Sequence, residues 1–291
     1  MKRYLSLLML IPLLIAACNG YAQSRNSTRR PFKVYGFIVY GGYIKNGERV
    51  NANYEDLQIY LAHLGIAKYD LIYENKMLDY PAGNKENGSV NYHKMDSLSA
   101  RAAREPDIPV SLDLEGWKRF DTLKTPQRML EAIGAFKKNN KASLVGLYAT
   151  VPQNTYGYDD KISRYDKVNK AYSQVAAAVD YFSPSLYNYK TTDSLLWKKS
   201  AVYSIGACKK YNYPAKKILP YLTPEISINK TTSLLTYSEM MFRLQTLYDL
   251  GADGCLIWTS SGTRDNKGNK IYIDENEGWL KAVKDFIARH S

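Results

Sequence analysis

Seven short runs of apolar, β-branched and aromatic residues recur along the chain, each followed by a longer stretch with helical periodicity. This alternation limits the fold more than any other feature. The runs are KVYGFIVY (33–40), YDLIYE (69–74), IPVSLDLE (108–115), SLVGLYAT (143–150), DYFSPSLY (180–187), KKILPYL (216–222) and GCLIWTS (254–260). Strands separated by helices pair in parallel, because the crossover carries the chain back to its starting end. Helices are expected over 54–64, 92–104, 125–139, 165–178, 193–210, 236–250 and 275–289. Their punctuation agrees: Asn53 precedes YEDL, Thr125-Pro126 precedes QRMLEAI, Thr236 and Glu239 form a capping-box pattern, and Gly251 supplies a stop. Long polar loops at 41–52, 75–91, 151–164 and 261–274 follow several strands. The class is α/β, and the alternation by itself suits a (β/α) barrel or a doubly wound open sheet. The first strand–helix turn, YGGYIKNGERVN, has neither G-x-G-x-x-G nor the phosphate-binding G-x-x-x-x-G-K-[ST] spacing, which argues against a dinucleotide fold.

The N-terminus reads as a targeting segment. Lys2 and Arg3 precede an apolar run over 5–17 that is short for a membrane span. Ile15-Ala16-Ala17-Cys18 resembles a bacterial lipobox, which would lipidate Cys18, while Gly20-Tyr21-Ala22 would suit ordinary signal cleavage. The expectation is an exported protein, a cell-envelope lipoprotein by the first site and a periplasmic or secreted one by the second. Residues 1–31 are taken as signal and tether, and 32–291 as a single domain of a size usual for an α/β barrel.

The net charge of +12 falls to +10 once Lys2 and Arg3 are removed, an excess that favours anionic partners. Export and the lack of any zinc-finger spacing or basic heptad argue against nucleic acid. Cys208 and Cys255 read as buried free thiols, with a single disulfide between them as the alternative, and His63, His93 and His290 are scattered without metal-ligand spacing. No metal or organic cofactor is expected. Tyrosine is abundant, at 26 residues, and aromatic rings fill cores or stack on sugars equally well.

The chemistry concentrates in SLDLEGW. Asp113 and Glu115 stand two apart at the C-terminal end of the third apolar run, and residues i and i+2 of a strand share a side. Two carboxylates that close do not both ionise cheaply, so one should hold its proton near neutral pH. In isolation D-x-E is a weak motif that a helix cap and a solvated loop residue would also produce. Tyr148, Tyr187 and Trp258 lie near other strand ends, where rings would wall a sugar site or fill the core.

Six segments, IYENKMLDYP (72–81), PVSLDLEGW (109–117), GLYATVP (146–152), SPSLYNY (183–189), LPYLTPE (219–225) and GADGCLIWTSS (251–261), resemble in order those of the animal and venom hyaluronidases. The resemblance implies a distorted, TIM-barrel-like fold of about seven strands and a retaining endo-β-N-acetylhexosaminidase acting on hyaluronan or chondroitin-like glycans. It implies Glu115 as general acid and then base, with Asp113 orienting the substrate's own 2-acetamido group, which replaces a protein nucleophile. Tyr187 would hydrogen-bond the acetamido carbonyl, and Tyr148 and Trp258 would shape the N-acetylglucosamine subsite. Tyr73, Glu74, Ser260 and Ser261 match cleft positions. Lys118 stands where the family commonly has arginine, keeping the charge without the planar fork. The family's paired cysteines are missing. The implied partner is an anionic, N-acetylated polysaccharide, with a membrane as a second partner if Cys18 is lipidated. A lysozyme-like muramidase and a non-catalytic polysaccharide-binding lipoprotein remain as alternatives.

Overall fold

The computed structural model describes residues 30–189, 193–228 and 231–290. Cys18 and the targeting pattern lie outside the described residues. Residues Pro31–Ser291 form one unit.

Eight short parallel strands occupy the seven runs and a ninth, β2, lies just ahead of the second: β1 (Lys33–Phe37), β2 (Ala67–Lys68), β3 (Asp70–Tyr73), β4 (Val110–Asp113), β5 (Val145–Leu147), β6 (Tyr181–Phe182), β7 (Lys217–Ile218), β8 (Tyr221–Leu222) and β9 (Gly254–Trp258). They form a four-stranded sheet in the order β8-β9-β1-β2, a three-stranded sheet β3-β4-β5 and the pair β6-β7. Only Tyr69 separates β2 from β3. Asp180 N donates to Val145 O at 2.7 Å and Ala149 N to Ser183 O at 3.0 Å, tying the β5 edge to the β6 segment. The first strand lies beside the last, Lys33 opposite Gly254 and Phe37 opposite Trp258. A doubly wound sheet puts its first strand in the interior of the order instead. The result is a mixed α/β fold of several small sheets, consistent with a (β/α)-barrel-type arrangement but without one continuous closed ladder. The interruptions in the fifth and sixth expected strands have a chemical cause. Pro184 and Pro220 fall inside the fifth and sixth expected strands and lack the N–H that a ladder needs. Their carbonyls still accept, from Tyr221 N and Leu256 N.

Helices follow the strands as α1 (Tyr54–His63), α2 (Tyr92–Ala102), α3 (Thr125–Lys137), α4 (Tyr165–Ala171), α5 (Ser173–Ala178), α6 (Ser194–Lys210), α7 (Tyr237–Asp249) and α8 (Gly278–His290). The expected segment 165–178 is thus two helices. Asn53 caps α1 by accepting from Asp56 N, Thr236 and Glu239 complete the capping box of α7, and Gly251 leaves α7 with a φ of 88°. The loop expected over 41–52 is instead a hairpin, Gly42–Lys45 paired with Glu48–Asn51. Its two turn residues, Asn46 and Gly47, have φ of 54° and 81°, the doubly left-handed pattern that Asn-Gly favours. A second hairpin joins Glu225–Ile228 to Thr231–Leu234.

Two cores flank the strands. Val34, Cys255, Ile257, Val110 and Leu112 pack with the helices, burying Leu57, Leu61, Met129 and Phe136 among others. Alternate residues belong to a second cluster made of strand residues and strand ends: Tyr35, Tyr69, Leu71, Tyr148, Ala149, Tyr181, Leu219, Tyr221 and Leu256. Much of the tyrosine surplus is here, on the face without helices. A buried phenol needs a partner for its hydroxyl. Tyr181 donates to Val110 O at 2.8 Å and Tyr221 to Ser111 Oγ at 2.6 Å. Cys208 and Cys255 are buried and free, as the sequence suggested.

Tyr181 fits only because residue 146 has no side chain, since a Cβ on Gly146 would lie 2.4 Å from its Cζ. Gly146→Ala is therefore expected to destabilise the fold by about 1–3 kcal/mol through overpacking. Gly134→Ala, at a helical position of α3 where a Cβ meets nothing within 4 Å, should instead stabilise by about 1 kcal/mol. Thermal unfolding of the two variants beside the parent checks both signs.

Candidate active site

A cavity of about 700 Å³ opens at the C-terminal ends of the strands, where enzymes of this architecture hold their reacting groups. Its walls come from β3 (Leu71, Tyr73), the residues after it (Glu74, Asn75, Lys76), the end of β4 (Asp113), the turn beyond it (Glu115), and Lys85, Tyr148, Tyr187, Tyr221 and Trp258. Seven of the sequence-derived candidates therefore meet in one place: Tyr73, Glu74, Asp113, Glu115, Tyr148, Tyr187 and Trp258.

Glu115 does not lie on the strand. β4 ends at Asp113, and Glu115 stands on the turn beyond it, while the intervening Leu114 is buried in the helix-facing core. Glu74 sets this turn. Its buried carboxylate accepts from Glu115 N at 3.0 Å and Gly116 N at 2.6 Å through Oε2, and pairs with Lys85 Nζ at 3.0 Å through Oε1. Gly116 leaves room for this approach, for a Cβ there would crowd Glu74 Oε2 at 3.0 Å. The carboxylate of Glu74 is thus engaged in holding the turn.

The two members of D-x-E differ in environment. Asp113 Oδ1 is buried without a hydrogen-bond partner. Burial first, and then the negative charge of Glu115, push the Asp113 carboxyl up to about 7, while Arg119 opposes the shift. The Glu115 side chain is half exposed, and its Oε1 accepts from Arg119 Nη2 at 3.2 Å. Arg119, itself buried, also donates through Nη1 to Ala149 O at 2.7 Å. Arg119 was not singled out from the sequence, although its place four residues after Glu115 was visible.

The rings are mutually fixed. Tyr187 stacks on Trp258 with centroids 5.7 Å apart and planes at 23°, and Tyr148 meets Tyr221 edge-on at 4.9 Å. Trp258 Nε1 donates to Tyr73 OH at 3.0 Å, joining side chains of β9 and β3 across β1. Burial raises the pKa of Tyr73, Tyr148 and Tyr187, so these phenols remain hydrogen-bond donors at neutral pH. Asn188, beside Tyr187, is anchored through Nδ2 to Thr223 O and Glu225 O and accepts from Arg243 Nε.

Three candidates lie elsewhere. Lys118 pairs with Glu86 at 2.8 Å and lines a separate depression with Asp121, Lys124 and Arg128. The structure does not bring it to the main cavity, because the chain after Trp117 has turned outward. Ser260 lines an adjoining cavity of about 690 Å³ that shares Trp258, and its N–H donates to Glu225 Oε1. Ser261 is exposed, with its carbonyl accepting from Arg264. The cations that line the main cavity are Lys76 and Lys85, neither of which any sequence pattern singles out. Among the described residues no group of three or more His, Cys, Asp and Glu is arranged to hold a metal ion.

No family model matches the chain. No curated protein matches it. Among solved structures, the chain is similar to bee venom hyaluronidase, with a TM-score of 0.52 and 17% identity over 79% of this chain and 91% of that one. It is likewise similar to bee venom hyaluronidase in complex with a hyaluronic acid tetramer, with a TM-score of 0.51 and 16% identity over 79% and 90%. At these identities the likeness is one of fold, and it reaches across nearly the whole of those chains.

Proposed function

We propose that the chain is an exported glycoside hydrolase that cleaves N-acetylated polysaccharide of the hyaluronan or chondroitin type by a retaining, substrate-assisted mechanism. The observation that carries this reading is the unequal state of the three carboxyl groups in the cavity. Glu74 is engaged with two backbone amides and Lys85, and Asp113 is held largely protonated to near neutral pH by burial. Glu115 stands half exposed on the cavity wall. One accessible acid with no free protein nucleophile suits a substrate that brings its own.

In this mechanism the Glu115 carboxyl gives its proton to the glycosidic oxygen as the bond to the anomeric carbon breaks. The 2-acetamido oxygen attacks that carbon to form a cyclic oxazolinium, with Asp113 orienting the amide N–H and Tyr187 donating to the acetamido oxygen. Glu115 then takes a proton from the water that opens the ring, restoring the starting configuration. Tyr148 and Trp258 form the walls of the sugar subsite. Lys76, Lys85 and the net charge of +10 left without Lys2 and Arg3 favour an acidic glycan. The N-terminal pattern supports export with lipidation at Cys18.

The test is a panel of hyaluronan, chondroitin and peptidoglycan with product sizing. New N-acetylhexosamine reducing ends from the first two support the proposal. Cleavage of peptidoglycan alone transfers the chain to the muramidases, and binding without new ends makes it a lectin-like capture protein. Glu115→Gln is expected to lower turnover by about 10²–10⁴-fold while glycan binding and the unfolding temperature persist. Undiminished turnover by that variant would remove the proposed acid.

Asp113 also has a signature in stability. Its folded form binds the proton more tightly than the unfolded chain, so its contribution falls as pH climbs from about 4 to about 7 and is level above that. Asp113→Asn removes this slope. The variant's gain in unfolding temperature over the parent should grow through that window and reach a plateau above pH 7. A gain independent of pH would contradict the raised carboxyl.

A further inference from the structure

The rings walling the cavity continue past its edge. Tyr187 lies 5.9 Å from Tyr189, and Tyr189 lies 5.5 Å from Tyr156, edge-on. Tyr156 belongs to the loop that follows β5, and the residue is 57% exposed. Its φ is 54°, a left-handed value that a bulky residue adopts only under strain. Folding gains little from a large ring left in water, so strain that keeps it there calls for another explanation.

Asn154 supports the arrangement from below. It is buried, its Oδ1 accepts from Tyr156 N at 2.9 Å, and its Nδ2 donates to Tyr189 OH at 2.7 Å. Its own N–H donates to Ala149 O at 3.0 Å, the same carbonyl that receives Arg119 Nη1. Arg119 in turn holds Glu115. An unbroken series of hydrogen bonds therefore ties the backbone of Tyr156 to the proposed acid, and the edge-on contact with Tyr189 steadies its ring.

We propose that Tyr156 is a stacking platform for a sugar unit of the polysaccharide lying outside the catalytic cavity. The C–H face of a pyranose is apolar and covers a phenol ring, while the hydroxyl at the ring edge reaches the sugar's own hydroxyls. Such a platform grips long chains and contributes nothing to a substrate that fits within the cavity. This inference rests on the carbohydrate reading above.

The test compares the parent with Tyr156→Phe and Tyr156→Asn. Phenylalanine keeps the ring. Asparagine removes it and suits the left-handed backbone, so the variant remains folded. The readouts are kcat/KM on polymer and on the shortest oligosaccharide cleaved, retardation in gels cast with hyaluronan or chondroitin, and the unfolding temperature. Tyr156→Asn should lose roughly tenfold in kcat/KM on polymer, with the short substrate little affected and retardation reduced. It should also unfold at a higher temperature than the parent, and Tyr156→Phe, which keeps the ring and loses only the hydroxyl, should retain most of the parent's kcat/KM on polymer and its retardation. An active parent whose Tyr156→Asn variant matches it on polymer and in the gels overturns the platform alone. A parent that neither cleaves nor binds any glycan overturns the platform and the carbohydrate reading together.

Discussion

One oxygen of Glu74 accepts from the amides of both Glu115 and Gly116, and the shape of the cavity mouth follows from where that oxygen sits. The bonds are charge-assisted and the carboxylate is buried, which makes them stronger than neutral ones and costly to lose. They turn the chain sharply as it leaves β4, so that Asp113 remains at the strand end while Glu115 is carried to the cavity wall. Trp117 is then directed inward, its Nε1 donating to Gly88 O, and the loop containing Lys85 is drawn over the site. Arg119 follows from the same turn and fixes Glu115 from the other side.

This geometry separates two acids that the sequence presents as equivalents. Their spacing leads to the expectation that one of the pair keeps its proton near neutral pH. The structure assigns the raised carboxyl to Asp113, because it is the buried member with an unpartnered oxygen, whereas Glu115 stands at the surface beside a guanidinium. The retained proton thus falls on Asp113 and not on Glu115, the member that the resemblance names as general acid.

The alternating pattern made the strand and helix positions legible, because burial on both faces demands long apolar runs for strands and a 3.6-residue period for helices. Most of the candidate residues lining the cavity were legible for the same reason: Asp113, Tyr148, Tyr187 and Trp258 lie at or near the ends of recognisable runs. What the pattern concealed was long-range. Pro184 and Pro220 stood in plain view, yet the resulting breaks in the sheet follow from which neighbour each strand meets. The hairpin over 42–51 carried an Asn-Gly signal that a purely helical and strand periodicity passes over. Lys85 reaches the cavity from a loop with no periodicity at all, and Arg119 rather than Lys118 turns toward Glu115 because of a bend made by a residue some forty positions earlier.

The tyrosine-filled interior has a consequence for how such a chain can change over generations. Tyr221 and Ser111 sit on different strands, 110 positions apart, and their hydroxyls satisfy one another at 2.6 Å. Altering either partner alone strands a buried oxygen or opens a gap, and each is expensive in a close-packed interior. Drift at one site is therefore gated by the other, and the pair behaves as a single heritable character despite its distance in the gene.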